Sequence, residues 1–125
     1  MKLTRFEDLA VWQRAMSLAA EIYAASKDGE FGRDFGLRDQ IRRAAVSIAS
    51  NVAEGKERET VPELIRHLYI AKGSAGELKT QLMIAERIGY LHAEHARSLV
   101  NDVASISAML GALIRGLKGQ SRQSG

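Results

Sequence analysis

The sequence predicts an all-α protein, an antiparallel up-and-down four-helix bundle, and three observations carry that expectation. Apolar residues recur every three or four positions in four separate segments, the spacing of helices that each bury one stripe. The one proline, Pro62, stands where a helix would begin rather than inside one. The connections between the second and third segments and between the third and fourth are short, which sets consecutive helices side by side in opposite directions. At 125 residues, with 46% hydrophobic and 26% charged side chains, one domain with a sizeable core is expected.

The first segment runs from about Glu7 to Ser26, and the spacing of Leu9, Trp12, Met16, Ala19 and Tyr23 predicts its buried stripe. Lys27-Asp28-Gly29 ends it. From Gly29 to Gly36, three glycines and two aromatics, Phe31 and Phe35, break any helical period, so an ordered loop is expected with its rings tucked against the bundle. The second segment, Leu37 to about Lys56, places Leu37, Ile41, Ala44, Ile48 and Val52 on one side, with Gly55 near its end. The third opens at Thr60-Val61-Pro62-Glu63, where Thr60 can cap and Glu63 can complete a capping box. It continues through Leu64, Leu68, Ala71, Ala75, Leu78, Leu82 and Ala85 and closes at Gly89. The fourth, from about Ala93, repeats the pattern through Ala96, Leu99, Val103, Ile106, Leu110, Leu113 and Leu117. The bundle is thus expected over residues 1–118, with 119–125 as a flexible basic tail.

The third segment is apolar beyond its seam. Ile65, Tyr69 and Met83 project to one flank, and Ile70, Ile84 and Ile88 to the other, so either neighbouring subunits or spare packing inside the chain must cover them. Gln40, Arg43, Ser47, Asn51 and Glu54 form a polar line on the second segment, beside its apolar stripe, and His67, Ser74, Glu77 and Gln81 form a matching line on the third. Folded back around the turn at Gly55 to Glu59, the two lines can meet, with Arg43 near Ser74 and Glu77. A structural network or a solvated face is the plain reading, and a ligand or catalytic cluster is the alternative. Gly73 and Gly76, inside the third helix, point to tight helix contact or a bend.

Composition excludes several chemistries. Without cysteine there is no disulfide, thiol nucleophile or thiolate metal site. His92 and His95 flank Glu94, but no Glu-x-x-His or His-Glu-x-x-His element occurs, so a helix start is expected there and no metal. Glu54, Glu57, Glu59 and Glu63 are interleaved with Lys56 and Arg58, as in a solvated turn, and no glycine precedes a Lys-Ser/Thr pair as in a phosphate loop. No catalytic signature and no cofactor motif is present. Charge appears before any apolar run at the amino end, and no stretch of about 18 apolar residues is seen, so a cytoplasmic protein free of membrane is expected.

The net charge of +3 has a location. Up to Asp102 fifteen basic residues face fifteen acidic ones, and the excess is Arg115, Lys118 and Arg122, with no acid following. Arg97 and Arg115 are five whole turns apart and share a direction, so Arg97, Arg115, Lys118 and Arg122 form a candidate stripe for nucleic-acid phosphate. Dipole compensation at a helix end is the bland alternative.

Three blocks carry a family resemblance: Phe6 to Trp12 (Phe-Glu-Asp-Leu-Ala-Val-Trp), Gly36 to Gly55 with its Arg-Arg-Ala-Ala-Val-Ser-Ile and Asn-Val-Ala-Glu-Gly runs, and Ile70 to Leu78 (Ile-Ala-Lys-Gly-Ser-Ala-Gly-Glu-Leu). From Phe6 to about Leu91 the chain resembles the four-helix-bundle proteins encoded within intervening sequences of bacterial large-subunit ribosomal RNA genes. The resemblance implies a ring-shaped homopentamer, similar to the accessory variability determinant of diversity-generating retroelements, a basic partner of a reverse transcriptase that binds nucleic acid. This chain departs from that protein in being nearly neutral before its carboxyl end. No catalytic residues carry over. The expectation is a non-enzymatic, pentameric adaptor associated with RNA or DNA, with a reverse transcriptase as a candidate partner. The rival is a protein-only scaffold that holds partner proteins through its apolar flanks.

Overall fold

The computed structural model describes the backbone of residues 5–124 and the side chains of residues 5–120. After a single 3-10 turn at Phe6–Asp8 come five helices: α1 Ala10–Ala25, α2 Gly29–Arg33, α3 Phe35–Glu57, α4 Val61–Arg87 and α5 Ala93–Ser124. No strand occurs among the described residues. The four long helices enclose one core: α3 packs on α4, α4 on α5, and α1 against both α3 and α5.

The stripes expected for α3 and α4 are the ones buried. Ile41, Ala44, Ile48 and Val52 of α3 meet Leu68, Ala71, Ala75, Leu78, Leu82 and Ala85 of α4 in the core cluster, with Leu37 and Leu64 packed at its edge. On α1 the expectation needs correcting. Val11, Ala15, Leu18 and Ile22 are buried, while Met16 and Tyr23 of the expected stripe remain 47% and 46% exposed, and Trp12 and Ala19 are half-buried. Two apolar stripes lie one residue apart on this helix, and both satisfy helical spacing. The mainly aliphatic one turns inward, whereas Tyr23 stays at the surface and accepts the Arg42 guanidinium over its ring, 4.4 Å from the centroid.

The stretch from Gly29 to Gly36 is also more regular than expected. Gly29, at φ +67°, opens the one-turn α2, and α3 begins at Phe35. Phe31 tucks in as expected, stacked on Tyr90 with ring centroids 5.3 Å apart, but Phe35 stays 62% exposed beneath the Arg38 guanidinium. Asp34 joins the pieces. One carboxylate oxygen accepts from the Leu37 amide at 3.1 Å, capping α3, and the other accepts from the Tyr90 hydroxyl at 2.9 Å. Arg42 fastens α3 to the end of α1, donating to the Ser26 hydroxyl at 2.9 Å and to the Ser26 and Tyr23 carbonyls, where a helix terminus leaves its carbonyls unpaired.

At the next turn Thr60 supplies the hydroxyl half of the expected capping box, accepting from the Glu63 amide. Helix α5 outruns its expected end at Leu117. Its backbone is helical through Ser124, so the boundary expected between 118 and 119 falls within the helix, and the side chain of Arg122 lies outside the described residues. By length and composition α5 is apolar enough to cross a membrane, since no charge interrupts residues 103–114, although that uncharged run stays short of the about 18 residues sought in the sequence. Here its apolar side, Ala96, Leu99, Val103, Ile106, Leu110 and Ile114, is buried in the core.

Of the surplus apolar residues on α4, Ile65 packs at the edge of the core, while Tyr69, Met83, Ile70, Ile84 and Ile88 remain at the surface. Spare packing inside the chain therefore accounts for Ile65 alone among the six.

At Gly55 α3 comes close against α4. A Cβ built there would lie 2.7 Å from the Cβ of His67 and 3.2 Å from Leu64 Cδ1, so any side chain drives the helices apart. Gly55→Ala is expected to destabilise the fold by about 1–3 kcal/mol in urea titration, as overpacking does. At Gly73 a Cβ meets nothing within 4 Å, so the tight contact expected from the glycines of α4 is absent inside the chain. Gly73→Ala is expected to leave the isolated chain as stable as before or up to about 1 kcal/mol more stable.

The two hydrogen bonds to Asp34 hold its carboxyl below the usual carboxylate range, and the same Asp34 contact pushes the Tyr90 phenol up. A folded value below the unfolded one means that the carboxylate's stabilisation is fully present above about pH 4 and is lost as pH falls through the folded value. Asp34→Ala should lower Tm at pH 7 and flatten the acid limb of a Tm-against-pH curve. Parallel curves for the two proteins would count against the contact.

Candidate nucleic-acid interface

Two polar features remain once the core is accounted for, a seam between α3 and α4 and a basic side formed by α4 and α5. In the seam, Ser47 and Ser74 share a hydrogen bond of 2.8 Å. Asn51 donates its two amide hydrogens to the Ser47 carbonyl at 2.9 Å and the Ser47 hydroxyl at 3.1 Å, which leaves its carbonyl oxygen to accept from His67 Nδ1 at 3.1 Å. These pairs descend α3 as they climb α4 in reverse, and Gly55 against His67 completes the series. His67 is buried, and sequence reasoning placed it on the line without assigning it this role. Its signal was a lone polar residue at core spacing.

The charged members of the two lines do not join the seam. Arg43 and Glu77 are both exposed, and among the described residues no ion pair links them, so the meeting of the two lines expected from the sequence does not extend to a buried charge pair. With Gln40, Ser47 and Gln81 they line a shallow hollow of about 330 Å³, where water solvates both charges. Glu54 pairs instead with Arg58 at 3.0 Å, one turn along the same exposed edge. His92 and His95 are exposed at the start of α5.

The basic side places Arg97, Arg115 and Lys118 on the surface of α5. Two residues that the sequence stripe omitted join them, because α4 lies alongside: Lys72 and Lys79 line the same groove as Arg115. Lys118 donates to the Tyr69 hydroxyl at 2.7 Å. Among the described residues no carboxylate pairs with Lys72, Lys79, Arg97, Arg115 or Lys118. No signal in the sequence singles out Lys72 and Lys79, since each stands as an isolated cation in the chain and joins Arg115 only through the packing of α4 on α5.

The described residues thus form an all-helical protein with a hydrogen-bonded polar seam and a groove lined by cations and no carboxylate. The chain belongs to the 23S rRNA-intervening sequence protein family, whose profile matches residues 7–112. The match takes in the seam, Lys72, Lys79 and Arg97, and stops short of Arg115. A crystal structure of a protein of unknown function from the S23 ribosomal protein family of Bacteroides thetaiotaomicron VPI-5482 is similar, with a TM-score of 0.78 at 26% identity, covering 84% of this chain and 98% of that one. No curated protein matches.

The seam sets two expectations for stability. Asn51→Ala leaves the buried Nδ1–H of His67 without its acceptor and should cost about 1–3 kcal/mol in chemical denaturation. Arg43→Ala and Glu77→Ala, both solvated, should each change stability by no more than about 0.5 kcal/mol. A large loss for either would restore the buried charge pair.

Proposed function

We propose that the protein is a non-enzymatic homopentameric adaptor of the cytoplasm, its four long helices in antiparallel up-and-down order, that associates with nucleic acid. The observation that carries this reading is the run of exposed cations on the α4–α5 side with no carboxylate to neutralise them. Three cations on or next to α3 are held differently: Arg42 by the carbonyls of α1, Arg38 by Asp39 and Arg58 by Glu54. Uncompensated cations gathered on one side raise the local potential and draw in a polyanion. Repetition of that side around a ring would turn weak contacts into strong ones. Membership of the intervening-sequence family supports a nucleic-acid setting, a ribosomal RNA locus or a reverse transcriptase among the candidates. The adaptor needs no cofactor.

Assembly is supported by the apolar faces of α1 and α4, where Met16, Ile70, Ile84 and Ile88 are left exposed. The same faces favour a second reading, a protein-only scaffold that holds partner proteins.

Light scattering at micromolar concentration should give five times the chain mass of 13.7 kDa, and a monomer mass would remove the ring. Ile84→Asp should weaken assembly more than folding. Binding of RNA and DNA should fall steeply between about 50 and 200 mM salt, as counterion release requires. It should fall further when Arg97, Arg115, Lys118 and Arg122 are all changed to glutamine. Absence of binding by the parent protein would leave the scaffold reading.

A further inference from the structure

The groove between α4 and α5 has more structure than a basic surface. A Cβ built at Gly111 would lie 3.4 Å from Arg115 Nη1 and 3.5 Å from Lys72 Cε, so two cationic side chains converge over one bare stretch of backbone. Like charges held together without an acid repel, and an anion between them relieves that repulsion. The hollow they overlook measures about 380 Å³ and is floored by small residues, among them Gly76, Ala104, Ala108 and Gly111. Lys79 lies two turns from Lys72 along α4, about 10 Å, so the two lysines would meet different anionic groups rather than share one. Near Lys72 on α4 stands Tyr69, half exposed, with the Lys118 ammonium 5.1 Å from its ring centroid.

We propose that this groove holds the sugar–phosphate chain of a single-stranded nucleic acid, its phosphates on Lys72, Arg115 and Lys79 and a base against Tyr69. The proposal rests on the nucleic-acid reading above and assigns it a site and a strandedness. Packed helix axes lie about 8–10 Å apart, so the furrow between them admits one extended chain, whereas a duplex would ride on its rims. Cations that track a backbone, beside an exposed aromatic ring that accepts any base, are the elements by which proteins bind single strands without reading sequence. A folded protein partner is the poorer match, because the groove offers cations over small side chains and no apolar anchor.

The test compares the full chain with Lys72→Gln/Lys79→Gln, Tyr69→Leu and Arg43→Gln, the last removing an exposed cation of α3 outside the groove lining. The probes are a mixed-sequence 20-nucleotide single strand, its duplex, and inorganic polyphosphate, at two salt concentrations. All four changes lie on exposed residues, and thermal melts confirm folding. The double variant should bind the single strand at least about tenfold more weakly, with a log–log salt slope shallower by about 1.4 for two lost phosphate contacts. Tyr69→Leu should lose about fivefold or more for the single strand and nothing for polyphosphate, and Arg43→Gln should change either by less than about twofold. Undiminished binding by the double variant, with parent binding intact, overturns the groove and leaves the broader reading standing. Tighter binding of duplex than of single strand overturns the strandedness, as does a Tyr69→Leu protein that binds like the parent. A parent protein that binds none of the probes overturns both the groove and the nucleic-acid reading.

Discussion

The close approach of α3 to α4 at Gly55 is the constraint on which the arrangement depends. Because Gly55 lacks a side chain, the Cβ of His67 can sit where a methyl group would otherwise stand, and the ring is buried. A buried imidazole must have partners, and Asn51, one turn before Gly55, supplies one and is itself held by Ser47. Ser47 in turn reaches Ser74, two turns further along α4. These polar contacts admit a single register, since sliding α4 by one turn would leave each of them unpaired within the interior. The Asn-Val-Ala-Glu-Gly run thus has a physical purpose, with Asn51 and Gly55 addressing the same histidine.

Once that register is set, the rest of the surface follows. The core side of α4 is taken by Leu68, Ala71, Ala75, Leu78 and Leu82, and α5 lies along the flank that carries Lys72, Gly76 and Lys79. That placement brings α4 lysines beside Arg115 of α5, residues about forty positions apart in the chain. A protein with a net charge of only +3 can in this way present a basic groove, because packing gathers Lys72, Lys79 and Arg115 on a lining that holds no acid. The opposite treatment of Arg42 makes the point. It is spent on the carbonyls that end α1 and contributes to holding the helices rather than to the field outside.

Much of this was legible in the chain, and the limits have identifiable causes. The stripes of α3 and α4 were readable because one face of each is aliphatic and its neighbours are polar. The stripe of α1 was misread because two apolar rows stand side by side, and spacing alone does not say which turns inward. The polar seam was visible as two matching lines, but Arg43 and Glu77 were drawn into it because charge and hydroxyl residues look alike by period. Burial separates them, since short side chains such as Ser47 and Asn51 finish inside the interface while long charged ones reach water.

By itself the sequence determined that the protein is all-helical, where its four long helices fall, which sides of α3, α4 and α5 are apolar, and which family it belongs to. The helices and their apolar sides are local matters of propensity, capping and a 3.6-residue period, each written within a window of a few turns, and the family is carried by the residue identities of three blocks. Only the tertiary structure decided which row of α1 is core, that His67 completes the seam, that the glycines of α4 lie in the open, and that Lys72 and Lys79 share a groove with Arg115. Each of those depends on what stands across from a residue, and that is set by the closest approach of helices whose contacts are remote in sequence.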